Sequence, residues 1–302
     1  MDLNHVAVFV DSLDKTTLAA ALGGWGGPVV TITDQPVTVD GRPGGHSGRT
    51  RRVRTASEPP FGVSIEDVTP DAPIQPEPGN AWHHVAIWCD DVRATVEALE
   101  ANGYRKDVVG RDPDGQLATF AYMVADSGPR VEVADAAMRE RMHAYHARTA
   151  ADKGIEVASS GLSAPLTPIE VAVVVSSVAD LERLRSCWQA AFGADWGKVI
   201  ESTTQVDANG ETRALRVRSV STRTLPCVTI LAPLGDSRAL LAPVAGDGWH
   251  HVAFRSGNLD QDMTALRQKG FVLEFCDHVG DKGQHCFAML VAPEGTRVKL
   301  TG

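Results

Sequence analysis

Residues 81–88 read AWHHVAIW and residues 248–255 read GWHHVAFR. Both are short apolar runs rich in aromatic and β-branched residues, the pattern of a buried strand. Behind the first run, Asp90 and Asp91 precede Val92, Val96 and Leu99. Apolar residues at i, i+4 and i+7 share one helical face, so this stretch predicts a helix with one side buried. Gly103 stands where the chain leaving a helix needs a left-handed residue. Two further strands are predicted over 117–124 (LATFAYMV) and 130–134 (RVEVA), after the polar turn RDPDG at 111–115. With one more strand leading into that turn, the unit reads β-α-β-β-β.

The pattern repeats. At an offset of 167 residues, Val92, Val96, Leu99 and Gly103 fall on Leu259, Met263, Leu266 and Gly270, while Glu132 falls on Lys299. Upstream of each copy, LNHVAV (3–8) matches PIEVAV (168–173) at an offset of 165. Aligning SIEDVTP (64–70) with VTILAP (228–233) on their prolines sets Glu66 opposite Thr229. The chain thus contains four related units of roughly 50–75 residues, in two halves. The expected architecture is α+β: four βαβββ modules in tandem, paired into two half-barrel domains spanning 1–150 and 160–302. The Ala-rich, then Ser/Pro-rich stretch 135–165 reads as the linker between them, and 40–50 as a hairpin loop.

Composition narrows the function. Of 302 residues, 43% are hydrophobic and 22% charged, a globular balance. The net charge of −9 disfavours a general nucleic-acid binder. No apolar run reaches the ~18 residues of a membrane helix, and the start MDLNHVAVFVD lacks the basic region of a signal peptide. The five cysteines show no CxxC spacing and are read as reduced thiols in a cytoplasmic protein.

Four first strands place His5, His84, Glu170 and His251 at one equivalent position, and four last strands place Glu66, Glu132, Thr229 and Lys299 at another. The first half therefore offers His5, Glu66, His84 and Glu132 as metal ligands. Two imidazoles and two carboxylates suit one divalent ion, Zn, Ni, Co, Mn or Fe. Four protein ligands on a six-coordinate ion leave two positions for substrate oxygens or water. In the second half Thr229 is a poor ligand and Lys299 brings a competing charge, so no metal site is expected there.

These motifs resemble the vicinal oxygen chelate superfamily, also called the glyoxalase/bleomycin resistance/dioxygenase superfamily. LNHVAVFVDSLD, WHHVAIWCDDVRATVEALEANGY and WHHVAF resemble its first strand and helix; SIEDVTP and RVEVAD resemble its ligand-bearing last strands. Within it, the first half is most similar to glyoxalase I and methylmalonyl-CoA epimerase-like proteins. The resemblance implies metal ligands at His5, Glu66, His84 and Glu132, with Glu132 and Glu66 also available as catalytic bases. It implies proton abstraction next to a carbonyl, a metal-dependent lyase or isomerase/epimerase reaction on a small substrate with vicinal oxygens. An Fe(II)-dependent dioxygenase using His5, His84 and one Glu is the alternative, disfavoured by a fourth ligand because dioxygen and a bidentate substrate need three open positions. A non-catalytic ligand-sequestering resistance protein is the third reading. A homodimer is compatible with all three.

Other residues receive plainer readings. Strand alternation sends His83 and His250 to the face opposite the ligands, in structural or surface roles. Cys276, His278, His285 and Cys286 flank a turn and read as a hairpin rather than a metal cluster. Arg51, Arg52 and Arg54 read as the solvated side of a strand, or contacts for an anionic group. Trp82, Trp88, Trp249 and Tyr122 suit core packing and a pocket wall equally.

Overall fold

The computed structural model describes residues 1–11, 29–33, 37–39, 42–44, 49–55, 62–70, 72, 74, 81–111, 114, 116–126, 128–142, 144, 161–163, 166–241, 248–277 and 285–302. Between 29 and 55 it describes the backbone alone. Alternation and apolar content build strands almost throughout. In the first part these are β1 (Asp2–Phe9), β2 (Val29–Thr33), β3 (Val37–Val39), β4 (Arg42–Gly44), β5 (Arg49–Thr55), β6 (Gly62–Val68), β7 (Trp82–Cys89), β8 (Tyr104–Arg111), β9 (Leu117–Ala125) and β10 (Val131–Asp135), with helix α1 (Val92–Glu100) after β7. They form one ten-stranded sheet in the order β2-β5-β6-β1-β7-β10-β9-β8-β3-β4. β4 lies inside the segment expected to be a loop.

In the second part come β11 (Thr167–Val174), α2 (Val178–Phe192), β12 (Ile200–Ala208), β13 (Glu211–Ser221), β14 (Cys227–Pro233), β15 (Gly248–Arg255), α3 (Leu259–Gln268), β16 (Val272–Asp277), β17 (Phe287–Val291) and β18 (Arg297–Thr301). Their sheet is a closed barrel, β11-β14-β13-β12-β16-β17-β18-β15, rather than a half-barrel. Closure comes from β12 pairing with β16 at Val206–Asp277 and Asp207–Cys276. The first sheet follows the same cyclic order. Its two ends, β2 and the β3–β4 hairpin, are consecutive in the chain, and residues 34–36 between them lie outside the described residues.

The helices start and stop where side chains supply the missing hydrogen bonds. Asp91 caps α1 by accepting from the Ala94 amide at 2.9 Å, Ser177 caps α2 by accepting from Asp180, and Asn258 caps α3 by accepting from Gln261. Val92, Val96 and Leu99 form the buried face of α1, as the periodicity predicts. Gly103, at φ +88°, takes the left-handed turn that leads into β8. Residues 12–28, which follow β1 in the first unit, lie outside the described residues, as does most of the expected linker.

One continuous core joins the two parts, containing Val85, Leu99 and Met123 from the first and Trp188, Trp249 and Leu290 from the second. α1 packs on α2, and β7 packs on β15. Trp188 is fully buried at this junction, its indole donating to the Tyr104 hydroxyl at 3.2 Å and its ring 5.7 Å from that of Trp249. No helix among the described residues is long and apolar enough to cross a membrane.

Candidate metal centre

β1 and β7 run antiparallel at the middle of the first sheet, and their register explains the recurring His-Val-Ala motif. His5 lies opposite Ala86, and Ala7 lies opposite His84. Each histidine is therefore faced by the alanine two residues beyond the other histidine. β10 joins β7 in parallel with Glu132 beside Ala86. The two alanines leave the space into which three larger side chains converge.

The donors meet there. His84 Nε2 lies 3.3 Å from His5 Nε2 and 3.1 Å from Glu132 Oε2, and His5 Nε2 lies 3.5 Å from the same oxygen. Among the described residues these three form the one group of metal-competent donors within 4.8 Å of one another. Both histidines are buried and Glu132 is nearly so, at 9% exposure. Two imidazoles and one carboxylate, converging from three strands, are the donor set of a facial triad that binds a divalent first-row ion and leaves positions open. The residues fit an ion of that class. Tyr122, opposite Glu132 on β9, packs edge-on against His84 at 4.8 Å, and its buried ring walls the site.

Glu66 is not part of this group. It is buried on β6, where its Oε1 accepts a hydrogen bond from Ser64 Oγ at 2.9 Å. The cause is register. Glu132 pairs with the residue two beyond His84, whereas the residue two beyond His5, Ala7, pairs with Ser64. Ser64 thus holds the position equivalent to Glu132, and Glu66 lies one strand repeat farther along the same face. The signal was present in the sequence: holding the offset at 165 throughout the unit sets Ser64, not Glu66, opposite Thr229. Aligning on the prolines hid it.

In the second half the same positions carry a different chemistry. Glu170 lies opposite Ala253, and His251 opposite Ala172. Glu170 receives His251 Nε2 at 3.3 Å, Thr229 Oγ1 at 3.1 Å and the Lys299 ammonium at 3.7 Å. Burial alone would raise the Glu170 pKa; the His251 hydrogen bond, Lys299 and Thr229 outweigh it and hold the carboxyl at about 2. Burial lowers the His251 pKa, and Glu170 only partly restores it. The cation at this position is covalently attached.

Two sequence expectations change at the neighbouring histidines. His83 and His250, expected on the opposite face in structural or surface roles, are both buried, and each contacts the following histidine. His83 packs against Phe9 at 4.2 Å between ring centres. Trp82, Trp88, Trp249 and Tyr122 are all buried. His278 and the side chains of Arg51, Arg52 and Arg54 lie outside the described residues; Cys276 and His285 sit on the β16–β17 hairpin, where His285 Nδ1 lies 2.9 Å from the Asp277 carbonyl.

No protein-family model matches the chain. No curated protein matches it either. Solved structures do. A mutant of 4-hydroxymandelate synthase from Streptomyces coelicolor superposes with a TM-score of 0.56 at 16% identity, covering 100% of this chain and 92% of that one. A halotolerant catechol dioxygenase gives 0.47 at 10% identity, over 99% of this chain and 86% of that one. A fusion of a xylose isomerase-like TIM barrel with 4-hydroxyphenylpyruvate dioxygenase gives 0.46 at 11% identity, over 99% of this chain and 48% of that one. The neighbour that superposes above 0.5 is a synthase, not a lyase or an isomerase/epimerase. That corrects the lyase or isomerase/epimerase class expected from the sequence. The ground for disfavouring the Fe(II)-dependent dioxygenase also weakens, because it rested on a fourth protein ligand and the donors that converge among the described residues are three. The likeness to 4-hydroxymandelate synthase, at 16% identity, is one of fold.

Proposed function

We propose that this chain is an Fe(II)-dependent oxygenase acting on a small substrate that presents two adjacent oxygen atoms. One observation carries the reading: His5, His84 and Glu132 bring two imidazole nitrogens and one carboxylate oxygen within 4.8 Å of one another in the buried interior of the first half. Bound there, iron supplies redox chemistry with dioxygen. The protein's own residues do the rest. His5 and His84 bind through Nε2, and Glu132 contributes the one negative charge of the set. A divalent ion with one carboxylate keeps a single positive charge, which a singly ionised chelator such as a catecholate or a 2-oxo acid balances. Tyr122 and Phe9 line the surroundings and limit water.

Glu66 is the candidate base in this reading. It is a buried carboxylate outside the donor set, steadied by Ser64, and takes the proton that a chelating hydroxyl gives up. All five cysteines are free, which suits a reducing, cytoplasmic setting in which iron stays ferrous. The halves are read as domains at 1–150 and 160–302, each from two βαβββ modules. The strand-helix-strand-strand-strand order after β7, β11 and β15 supports this.

The test is oxygen uptake by Fe(II)-loaded protein against a panel of catechols and 2-oxo acids. Uptake that needs both Fe(II) and one panel member, and that disappears in Glu132→Ala, is the expected result. Stoichiometric binding of a panel member with no oxygen uptake would replace the oxygenase with the sequestering reading.

A further inference from the structure

β7 carries two adjacent histidines, and the backbone turns both inward. Along β1 the register steps from Ala7 opposite His84 to Val8 opposite Trp82. His83 is therefore the extra residue of a β-bulge. A bulge re-aims the side chain it carries and breaks simple alternation. The consequence is a contact that alternation forbids: His83 Nδ1 lies 2.7 Å from His84 Nδ1, with the two rings edge to face.

That contact constrains protons. A neutral imidazole that binds a cation through Nε2 carries its proton on Nδ1, and the partner of that N–H orients the ring. Only one proton fits between the two Nδ1 atoms. We propose that His83 is a positioning residue for the ligand His84, its unprotonated Nδ1 accepting the Nδ1–H of His84 and so fixing the ring's tautomer and plane. His83 must then carry its own proton on Nε2. The inference rests on the three-donor centre proposed above.

The second half supplies an internal control. His250 is the bulged residue between the Ala172–His251 and Val173–Trp249 pairs, and its Nδ1 lies 2.9 Å from His251 Nδ1. There His251 Nε2 meets Glu170, whose carboxylate already holds Lys299. The local geometry is the same, but the donor set is not.

Two measurements test the role. The first is Zn(II) affinity, by competition with a chromophoric chelator, for wild type, His83→Asn, His83→Leu, His250→Leu and His84→Ala. Asn keeps an acceptor near the Nδ1 position and Leu does not. His83→Leu is expected to bind Zn(II) about 10–100-fold more weakly, the usual cost of losing a ligand's hydrogen-bond partner. His83→Asn should restore most of the loss, and His250→Leu should leave affinity unchanged. The second is histidine ¹⁵N NMR of the Zn(II)-loaded wild type, which needs no variant to fold. It should place the His83 proton on Nε2 and the His84 proton on Nδ1. A His83 proton on Nδ1, undiminished affinity in His83→Leu, or a loss in His83→Asn as large as in His83→Leu would each overturn the positioning role. Wild type that binds no Zn(II) would overturn the centre itself, a result distinct from binding that depends on His84 but not on His83.

Discussion

Trp82 and Trp249 make the same bond across the junction of the two halves. The Trp82 indole donates to the Arg297 carbonyl at 3.3 Å, and the Trp249 indole donates to the Arg130 carbonyl at 2.7 Å. Both the tryptophans and the arginines are separated by 167 residues. The halves therefore meet through equivalent strands, β7 with β10 on one side and β15 with β18 on the other. The Trp249 bond is anchored two residues from Glu132, so the second half braces the strand that carries a proposed ligand. Trp249→Phe keeps an aromatic ring in the site, though a smaller one, and removes the donor from a partly buried carbonyl. It should cost about 1–3 kcal/mol, read as a shift in the urea midpoint. Trp82→Phe, which loses the longer bond, should cost less; the reverse order would mean that packing, not the hydrogen bonds, distinguishes the two sites.

The three-donor arrangement separates Glu66 from the ligands, and substitution should do the same. His5→Ala and Glu132→Ala are expected to lose bound ion. Glu66→Gln should keep one ion per chain, by elemental analysis, while losing turnover by about 10²-fold or more, the scale of general-base removal. Loss of the ion in Glu66→Gln would restore a four-ligand centre.

The second half should be sensitive to acid. Glu170 is held at about 2, well below the ordinary 4.5. A depressed carboxyl stabilises the fold fully above its unfolded pKa, and that stability is lost as pH falls from about 4.5 towards 2. Roughly 3 kcal/mol is the ceiling of that effect. His251 adds in the same direction: its folded pKa is lowered, so protons bind the unfolded chain first as pH drops below about 6.5. Unfolding measured between pH 7 and pH 3 should show a shallower loss in Glu170→Gln than in wild type. Parallel curves would mean that Glu170 contributes nothing to acid lability.

Lys299 occupies the position that Glu132 holds in the first half, pairing with Ala253 as Glu132 pairs with Ala86. Replacing that ammonium should expose the latent donor set formed with Glu170 and His251. Lys299→Glu is expected to raise Co(II) stoichiometry from one ion to two per chain, by titration followed in the visible spectrum. An unchanged stoichiometry would show that strand position alone does not make the site.

Much of this was legible in residues. The His-Val-Ala motif marks the paired first strands because an alanine must face each converging side chain, and Gly103 marks the end of α1 because only a left-handed residue turns there. That His5, His84 and Glu132 share equivalent strand positions was legible by matching repeats, and their donor atoms do converge. What escaped has identifiable causes. The Glu66 position depends on register between parallel strands, which a local motif does not encode. The inward turn of His83 depends on a bulge, which breaks the alternation used to orient strand residues. The closed second barrel depends on two residue pairs between β12 and β16, far apart in sequence.

The central claim is one divalent ion held by three residues of the first half. Anaerobic Fe(II) titration of wild type and of His84→Ala tests it most directly. The account predicts one ion per chain in wild type and none held in His84→Ala, with both proteins folded. Equal binding by the two proteins would place the ion elsewhere and contradict it.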